Sequence, residues 1–277
     1  MAAWSAAQRG ACRSIGFVPT MGALHPGHLA LVSAAQARCE RVVVSIFVNP
    51  LQFNDPRDLE RYPRQVEEDV LLLEQVGAHV LFLPENEELY EGMLPVKRDL
   101  AGLDSVWEGP LRPGHFEGML NAVERLFHFV RPEHAFFGEK DRQQLTIIKH
   151  VARQEHWPEQ VSSVTTLRES DGLAMSSRNR LLGPGDRTLA ASLYKALKVM
   201  EEMAQSHSLD QALEKAHGLL RSSARLTLEY LAFADPEDLR PVNEWGTRDT
   251  LIALVAARIG EVRLIDNLTV KRQRTHA

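Results

Sequence analysis

Gly16-Phe17-Val18-Pro19-Thr20-Met21-Gly22-Ala23-Leu24-His25-Pro26-Gly27-His28-Leu29 runs from a short apolar strand through a glycine-punctuated turn into a helix. A helix start carries free backbone N–H groups and the positive end of its dipole, so it attracts anions. Gly22 and Gly27 allow close backbone approach, and Pro26 suits a first helical position. The imidazoles of His25 and His28 can donate hydrogen bonds to phosphate oxygens. The spacing of Gly22 and Gly27 matches a P-loop, which would continue Lys-Ser or Lys-Thr. Here His28-Leu29 follows, so the lysine and the magnesium-binding hydroxyl are both missing and a Walker-type ATPase is disfavoured. Two histidines that merely cap a helix or sit half-buried are an equal reading at this point. Structural zinc is disfavoured, because the glutamate of His-Glu-x-x-His is absent and no Cys/His cluster completes a site. The turn points to an enzyme that handles ATP.

Outward from this turn, strand and helix patterns alternate. Residues 15–18 read as a strand, and 27–38 as a helix with Leu29, Leu31, Val32 and Ala35 apolar. Residues 41–48, Arg-Val-Val-Val-Ser-Ile-Phe-Val, have the near-continuous β-branched run of a strand buried on both faces. Residues 49–58 read as a loop, 64–75 as a helix with Gly77 at its C′ position, and 79–83 as a strand. A long irregular connection spans 84–113, and such segments often carry function. A helix over 114–131 would place Phe116, Leu120, Val123, Phe127 and Val130 on one side. Strand 134–137, helix 141–154 and strand 161–166 follow. This order predicts an α/β fold, a parallel sheet with helices on its faces. After Asp171-Gly172 the pattern becomes helices at 185–205 and 209–222, then strands at 227–234, 250–257 and 261–265. The expected division is a larger domain over 1–170 and a smaller α+β domain over 171–277, with the 175–178 loop near the junction placed to close over ATP.

Composition narrows the function classes. A chain of 277 residues holds one large domain or two modest ones. A net charge of −5 argues against a general nucleic-acid binder, and the basic tail Lys271-Arg272-Gln273-Arg274 reads as a solvated terminus. Cys12 and Cys39 are the two cysteines, too few for a disulfide scaffold and compatible with a reducing cytosol. The first ten residues lack a secretory apolar region, and no apolar run reaches a membrane span; residues 251–257 read as a buried strand.

Doubly wound sheets bind ligands beyond the carboxyl ends of their strands. Four segments fall there: the 21–28 turn; Asn49-Pro50-Leu51-Gln52-Phe53; Gly138-Glu139-Lys140-Asp141, with Gln143-Gln144 after it; and Leu167-Arg168 leading to Met175-Ser176-Ser177-Arg178. Lys140 and Arg178 offer a point charge and a forked donor set for phosphates, and Ser176 and Ser177 add hydroxyls. Asp141 suits a ribose hydroxyl or the cap of its own helix. Gln52 and Gln144 suit a small polar substrate, Arg112 a carboxylate, and Glu68-Asp69 magnesium.

These segments resemble the pantothenate synthetases, or pantoate–β-alanine ligases. The residues that carry the match are 19–28 (Pro-Thr-Met-Gly-Ala-Leu-His-Pro-Gly-His), 45–53 (Ser-Ile-Phe-Val-Asn-Pro-Leu-Gln-Phe), 62–64 (Tyr-Pro-Arg), 112–118 (Arg-Pro-Gly-His-Phe-Glu-Gly), 136–145 (Phe-Phe-Gly-Glu-Lys-Asp-Arg-Gln-Gln-Leu), 168–179 (Arg-Glu-Ser-Asp-Gly-Leu-Ala-Met-Ser-Ser-Arg-Asn) and 263–267 (Arg-Leu-Ile-Asp-Asn). The resemblance implies a Rossmann-like nucleotide-binding domain and condensation of pantoate with β-alanine, using ATP and magnesium and releasing AMP and pyrophosphate. It implies a cytoplasmic homodimer with no nucleic acid or membrane partner. It also implies an ATP site lined by Met21, Gly22, Ala23, Leu24, His25, Pro26, Gly27 and His28, with His28 in the proton-donor position. Gly138, Glu139, Lys140, Asp141, Leu167, Met175, Ser176, Ser177 and Arg178 would complete that site, with His25, His28, Lys140 and Arg178 as the catalytic set. Gln52, Gln144, Asn49 and Arg112 would face the substrates, and Asp69 the magnesium ion. The alternatives are a cofactor adenylyltransferase, which would retain AMP in its product, and a non-catalytic nucleotide sensor on the same fold.

Overall fold

The computed structural model describes residues 1–93, 96–221 and 223–273. Contacts divide the chain into two compact units, Met1–Glu139 with Gln143–Leu167, and Lys140–Arg142 with Arg168 onward.

The first unit holds α1 (Ala2–Gly10), β1 (Ile15–Thr20), α2 (Pro26–Gln36), β2 (Arg41–Ile46), α3 (Pro56–Arg61), α4 (Val66–Gln75), β3 (Val80–Phe82), α5 (Asn86–Tyr90), α6 (Glu108–Leu111), α7 (His115–Val130), β4 (His134–Gly138), α8 (Arg142–Gln154, whose first residue groups with the second unit) and β5 (Gln160–Val164). Its five strands are ordered β3-β2-β1-β4-β5, and every pairing is parallel. Parallel strands need cover on both faces. Accordingly Ile15, Phe17, Val18, Val42, Val43 and Val44 are all fully buried. Val18, Val42 and Val44 pack with Leu31, Val32 and Ala35 of α2 and Leu73 of α4. Gly16 permits that approach: a Cβ there would lie 3.1 Å from Cys39 and 3.2 Å from Ala35. The strand order reverses between β1 and β4, and this is where an open sheet of this kind forms its ligand crevice.

The α/β expectation holds, with local differences. The loop expected over 49–58 contains a short 3₁₀ turn, Pro50–Gln52, capped by Asn49, and the first half of α3, capped by Asp55. Both starts use an Asx side chain followed by proline, a helix-start signal that composition alone reads as loop. The irregular 84–113 connection includes α5 and α6, and its residues 94 and 95 lie outside the described set. The sequence reading assigned no helix to α1. Gly77 ends α4 with φ +70, as its C′ placement requires.

The second unit contains α9 (Pro184–Met203), α10 (Leu209–Leu220), β6 (Leu226–Ala234), β7 (Pro241–Val242), β8 (Thr250–Ile259) and β9 (Val262–Lys271). Its sheet, ordered β7-β6-β8-β9, is antiparallel throughout. Leu193, Leu197 and Met200 of α9 share a core with Leu209 and Ala216 of α10 and with Phe233, Leu251, Ala253 and Val255 of the sheet. The 251–257 run is buried strand, as its length required. Ser208 and Gln211 form a capping box at α10. Arg274 of the basic tail and Ser222 lie outside the described residues. Among the described residues, no helix is long and apolar enough to cross a membrane.

Candidate active site

The turn after β1 is built on strained but supported backbone. Gly22 has φ +79 and Ala23 has φ +50, a region that costs a residue with a Cβ. Asp69 of α4 fixes this shape. Its carboxylate accepts from Ala23 N at 2.8 Å and Leu24 N at 2.7 Å, and Gln65 Nε2 lies 3.4 Å away. Asp69 is fully buried. Both oxygens face backbone N–H groups, so Asp69 anchors this turn. Among the described residues no group of three or more His, Cys, Asp or Glu side chains is arranged to hold a metal ion.

The two histidines form a reciprocal cap. His25 Nδ1 accepts from Gly27 N at 3.1 Å, and His28 Nδ1 accepts from His25 N at 3.3 Å. Their rings lie 3.9 Å apart between centroids and are tilted by 32°. A backbone N–H can only donate, so each Nδ1 is the unprotonated nitrogen and each Nε2 carries hydrogen in the neutral ring. The capping reading is therefore the one the geometry displays. Capping sets the tautomer, and the tautomer makes Nε2 a donor. Gly138 ends β4 and Glu139 follows it, on the other side of the strand-order reversal.

The substrate candidates sit in the 3₁₀ turn after β2 and in the helices near it. Asn49 is buried, and its amide is saturated. Its Oδ1 accepts from Leu51 N at 3.1 Å and Tyr90 O–H at 2.9 Å, while Nδ2 donates to Gly118 O at 3.0 Å and Gln52 Oε1 at 3.1 Å. Two acceptances and two donations exhaust the amide. Asn49 thus supports Gln52. Gln52 Nε2 lies 2.9 Å from Met21 Sδ in the signature turn. The backbone carbonyl of Gln52 accepts from Arg112 Nη2 at 3.1 Å and lies 2.7 Å from His115 Nδ1. Arg112 also comes within 3.9 Å of Glu108. Gln144 is half-buried in the first turn of α8, whereas the adjacent Gln143 is buried and straps the 103–108 segment through Leu103 O, Val106 O and Glu108 N.

Gly118 lets α7 approach this turn. A Cβ there would fall 2.2 Å from Leu51 O, a backbone atom that cannot swing aside. Gly118→Ala is expected to lower stability by about 1–3 kcal/mol through this overpacking. It should also weaken use of the substrates assigned to Gln52. Thermal unfolding and steady-state kinetics on the same preparation check this; an unchanged melting temperature would mean that the contact relaxes freely.

In the second unit, Asn267 Nδ2 donates to Lys140 O at 2.8 Å, and Arg142 reaches Asn267 Oδ1 at 3.4 Å and Thr269 Oγ1 at 3.1 Å. Lys140 Nζ lies 3.5 Å from Asp141 Oδ1. Arg168 grips buried Asp266 at 2.6 and 3.1 Å and stacks 3.9 Å above the Tyr194 ring. Ser176 caps the turn Ser177–Leu181 by accepting from Arg178 N at 3.3 Å, and Ser177 is buried. Leu167 is largely exposed. The 263–267 motif is thereby explained: Asp266 and the Asn267 carbonyl hold the Arg168 guanidinium, and the Asn267 side chain holds the Lys140 carbonyl. Tyr90, His115, Gly118 and Asn267 escaped sequence reasoning as individual residues, although three of the four lie inside motifs that were recognised.

A family model for pantoate-β-alanine ligase matches residues 1–269. The chain belongs to that family. The pantothenate synthetase of a Thermus thermophilus strain is 47% identical over 260 residues, covering 92% of this chain and 93% of that protein. That of Rubrobacter xylanophilus is 43% identical over 274 residues, covering 94% and 92%. A Thermus thermophilus pantothenate synthetase crystal structure superposes with a TM-score of 0.89 at 46% identity, over 95% of this chain and 96% of that one. The pantoate-β-alanine ligase of Francisella tularensis, solved in complex with β-γ ATP and β-alanine, gives a TM-score of 0.78 at 33% identity, over 96% and 94%. As a pantoate-β-alanine ligase the protein is an enzyme that forms the amide bond of pantothenate, using ATP.

Proposed function

We propose that the protein condenses (R)-pantoate with β-alanine in two steps, through a pantoyl adenylate. In the first, a pantoate carboxylate oxygen attacks the α-phosphorus of ATP, the bond to the β-phosphate breaks, and pyrophosphate leaves with the electron pair. Both reactants are anionic, so charge neutralisation governs this step. The observation that carries the reading is the paired histidine cap, which turns two Nε2 donors into a helix-start anion site. Met21, Gly22, Ala23, Leu24, Pro26, Gly27, Gly138 and Glu139 supply the backbone of that edge. Lys140, Arg178, Ser176 and Ser177 are assigned to the phosphates on their charge, hydroxyls and motifs; Asp141, Leu167 and Met175 are assigned to ATP on their motifs. In the second step the neutral amine of β-alanine attacks the acyl carbon, AMP departs, and the amine loses a proton. Water must be excluded, since the mixed anhydride hydrolyses.

Gln52 is assigned to both pantoate and β-alanine, Gln144 to pantoate, and Arg112 to the β-alanine carboxylate. Magnesium is proposed to arrive on the triphosphate, whose oxygens supply its ligands, and it would offset phosphate charge. The free cysteines, exposed Cys12 and buried Cys39, fit the cytoplasm, and the family likeness supports a homodimer.

The test is direct. Incubated with Mg-ATP, pantoate and β-alanine, with each left out in turn, the protein should make AMP and pantothenate in equal amounts only when all are present. AMP formation restored by another acid would replace the substrate. No ATP turnover with any acid would leave a nucleotide sensor.

A further inference from the structure

Gln52 is an amide, and an amide can present either a donor or an acceptor to its ligand. The direction it takes decides what it binds. In this chain the direction is set from outside the residue. Leu51 N can only donate and Gly118 O can only accept, so Asn49 must place Oδ1 toward the first and Nδ2 toward the second. Asn49 Nδ2 then faces Gln52 Oε1 at 3.1 Å, which turns the Gln52 NH₂ toward Met21 Sδ. Thioether sulfur is a weak acceptor, easily displaced by an anionic oxygen.

The remaining lone pair of Asn49 Oδ1 is occupied by the phenol of Tyr90 at 2.9 Å. Tyr90 ends α5 and is itself held from two sides. Arg125 of α7 donates to Leu89 O at 2.6 Å and Glu91 O at 3.4 Å, fixing the end of the helix, and Phe47 packs edge-on to the Tyr90 ring with centroids 6.0 Å apart. Burial raises the Tyr90 pKa well above the ordinary phenol value, against the opposing pull of Arg125, so the phenol remains a donor across the working pH range.

We propose that Tyr90 is a positioning residue for the substrate amide: its phenol fills the second lone pair of Asn49 Oδ1 and locks in place the orientation that Leu51 N and Gly118 O select, which makes Gln52 a hydrogen-bond donor, so that the group facing Gln52 Nε2 must be an acceptor oxygen of the hydroxy acid. This rests on the assignment of Gln52 to pantoate made above. A chain of three hydrogen-bonded side chains loses more than one bond when its head is removed, because each member orients the next.

The experiment measures KM for pantoate and for ATP, and the melting temperature, in Tyr90→Phe, Gln52→Ala and the double variant. Tyr90→Phe should raise KM for pantoate about tenfold. KM for ATP should stay unchanged, and the increment should vanish in the Gln52→Ala background. Gln52→Ala raising KM for pantoate while Tyr90→Phe leaves it unchanged would overturn the clamp and keep the Gln52 assignment. Gln52→Ala without effect on pantoate would overturn that assignment, and the clamp with it. A melting temperature that falls with both KM values unmoved would make Tyr90 purely structural and also overturn the proposal. Should Tyr90→Phe not fold, Asn49→Asp reads the same link. It cannot donate to Gln52 Oε1, so it should raise KM for pantoate selectively, and an unchanged value would refute the clamp.

Discussion

Lys140→Ala should slow formation of the acyl adenylate by about 10²–10³-fold, the usual cost of one preorganised charge at a reacting phosphoryl group. The ammonium is mostly buried, 19% exposed, and pairs with the neighbouring Asp141 at 3.5 Å. Its backbone is pinned by Asn267 through the Lys140 carbonyl, so truncating the side chain leaves the main-chain anchor in place. A half-exposed local ion pair contributes little to stability. The variant should therefore melt within a few degrees of the parent while losing activity. Pyrophosphate release in a single turnover, with pantoate and ATP but no β-alanine, isolates the step. A near-normal rate there would remove Lys140 from the chemistry. His28→Ala is expected to act on the same step and to cost a cap as well.

Asp69→Ala should be the most damaging substitution outside the reacting groups. It removes the acceptor used by two buried N–H groups, in a turn whose Ala23 already occupies a left-handed conformation. Loss of a charged acceptor to buried donors costs about 1.5–3 kcal/mol each, so the pair is worth about 3–6 kcal/mol and a fall in melting temperature on the order of 10 °C. Activity should fall with it, because the His25 and His28 cap begins at the next residue. Magnesium separates this from the ligand reading. If Asp69 held the ion, excess magnesium would restore activity and the unliganded protein would melt normally. With Asp69 as the anchor, the unliganded protein melts early and magnesium restores nothing. Asp69→Asn should behave nearly as badly, since its NH₂ would point at a donor.

Local sequence carried a large part of the fold. The β-branched run of β2, the alternation of strand and helix up to residue 164, and the change of pattern after Gly172 required a buried parallel sheet followed by an α+β unit, and both are present. The Asx-Pro starts at Asn49 and Asp55 were legible signals passed over because polar residues and prolines dominate that stretch. The histidine pair was found in sequence, with two readings standing level, and the structure displays the cap.

The same local rules fail for residues whose role comes from distant partners. Asp69 lies in an acidic first turn, where a solvated carboxylate is the ordinary outcome, yet it meets Ala23 across 46 positions. Nothing along the chain marked Asn49 as the support of Gln52, and Tyr90 gave no sign at all, since the Tyr90–Asn49 bond spans 41 positions and the Asn49–Gly118 bond spans 69. Sequence by itself determined the strands of the parallel sheet, most of the longer helices, and the family, because periodicity, capping and motif spacing are properties of neighbours along the chain. Tertiary structure alone decided which polar groups serve as supports and which do not. That distinction depends on whether a buried donor or acceptor already has its partners, and those partners arrive only when the sheet brings separate segments together.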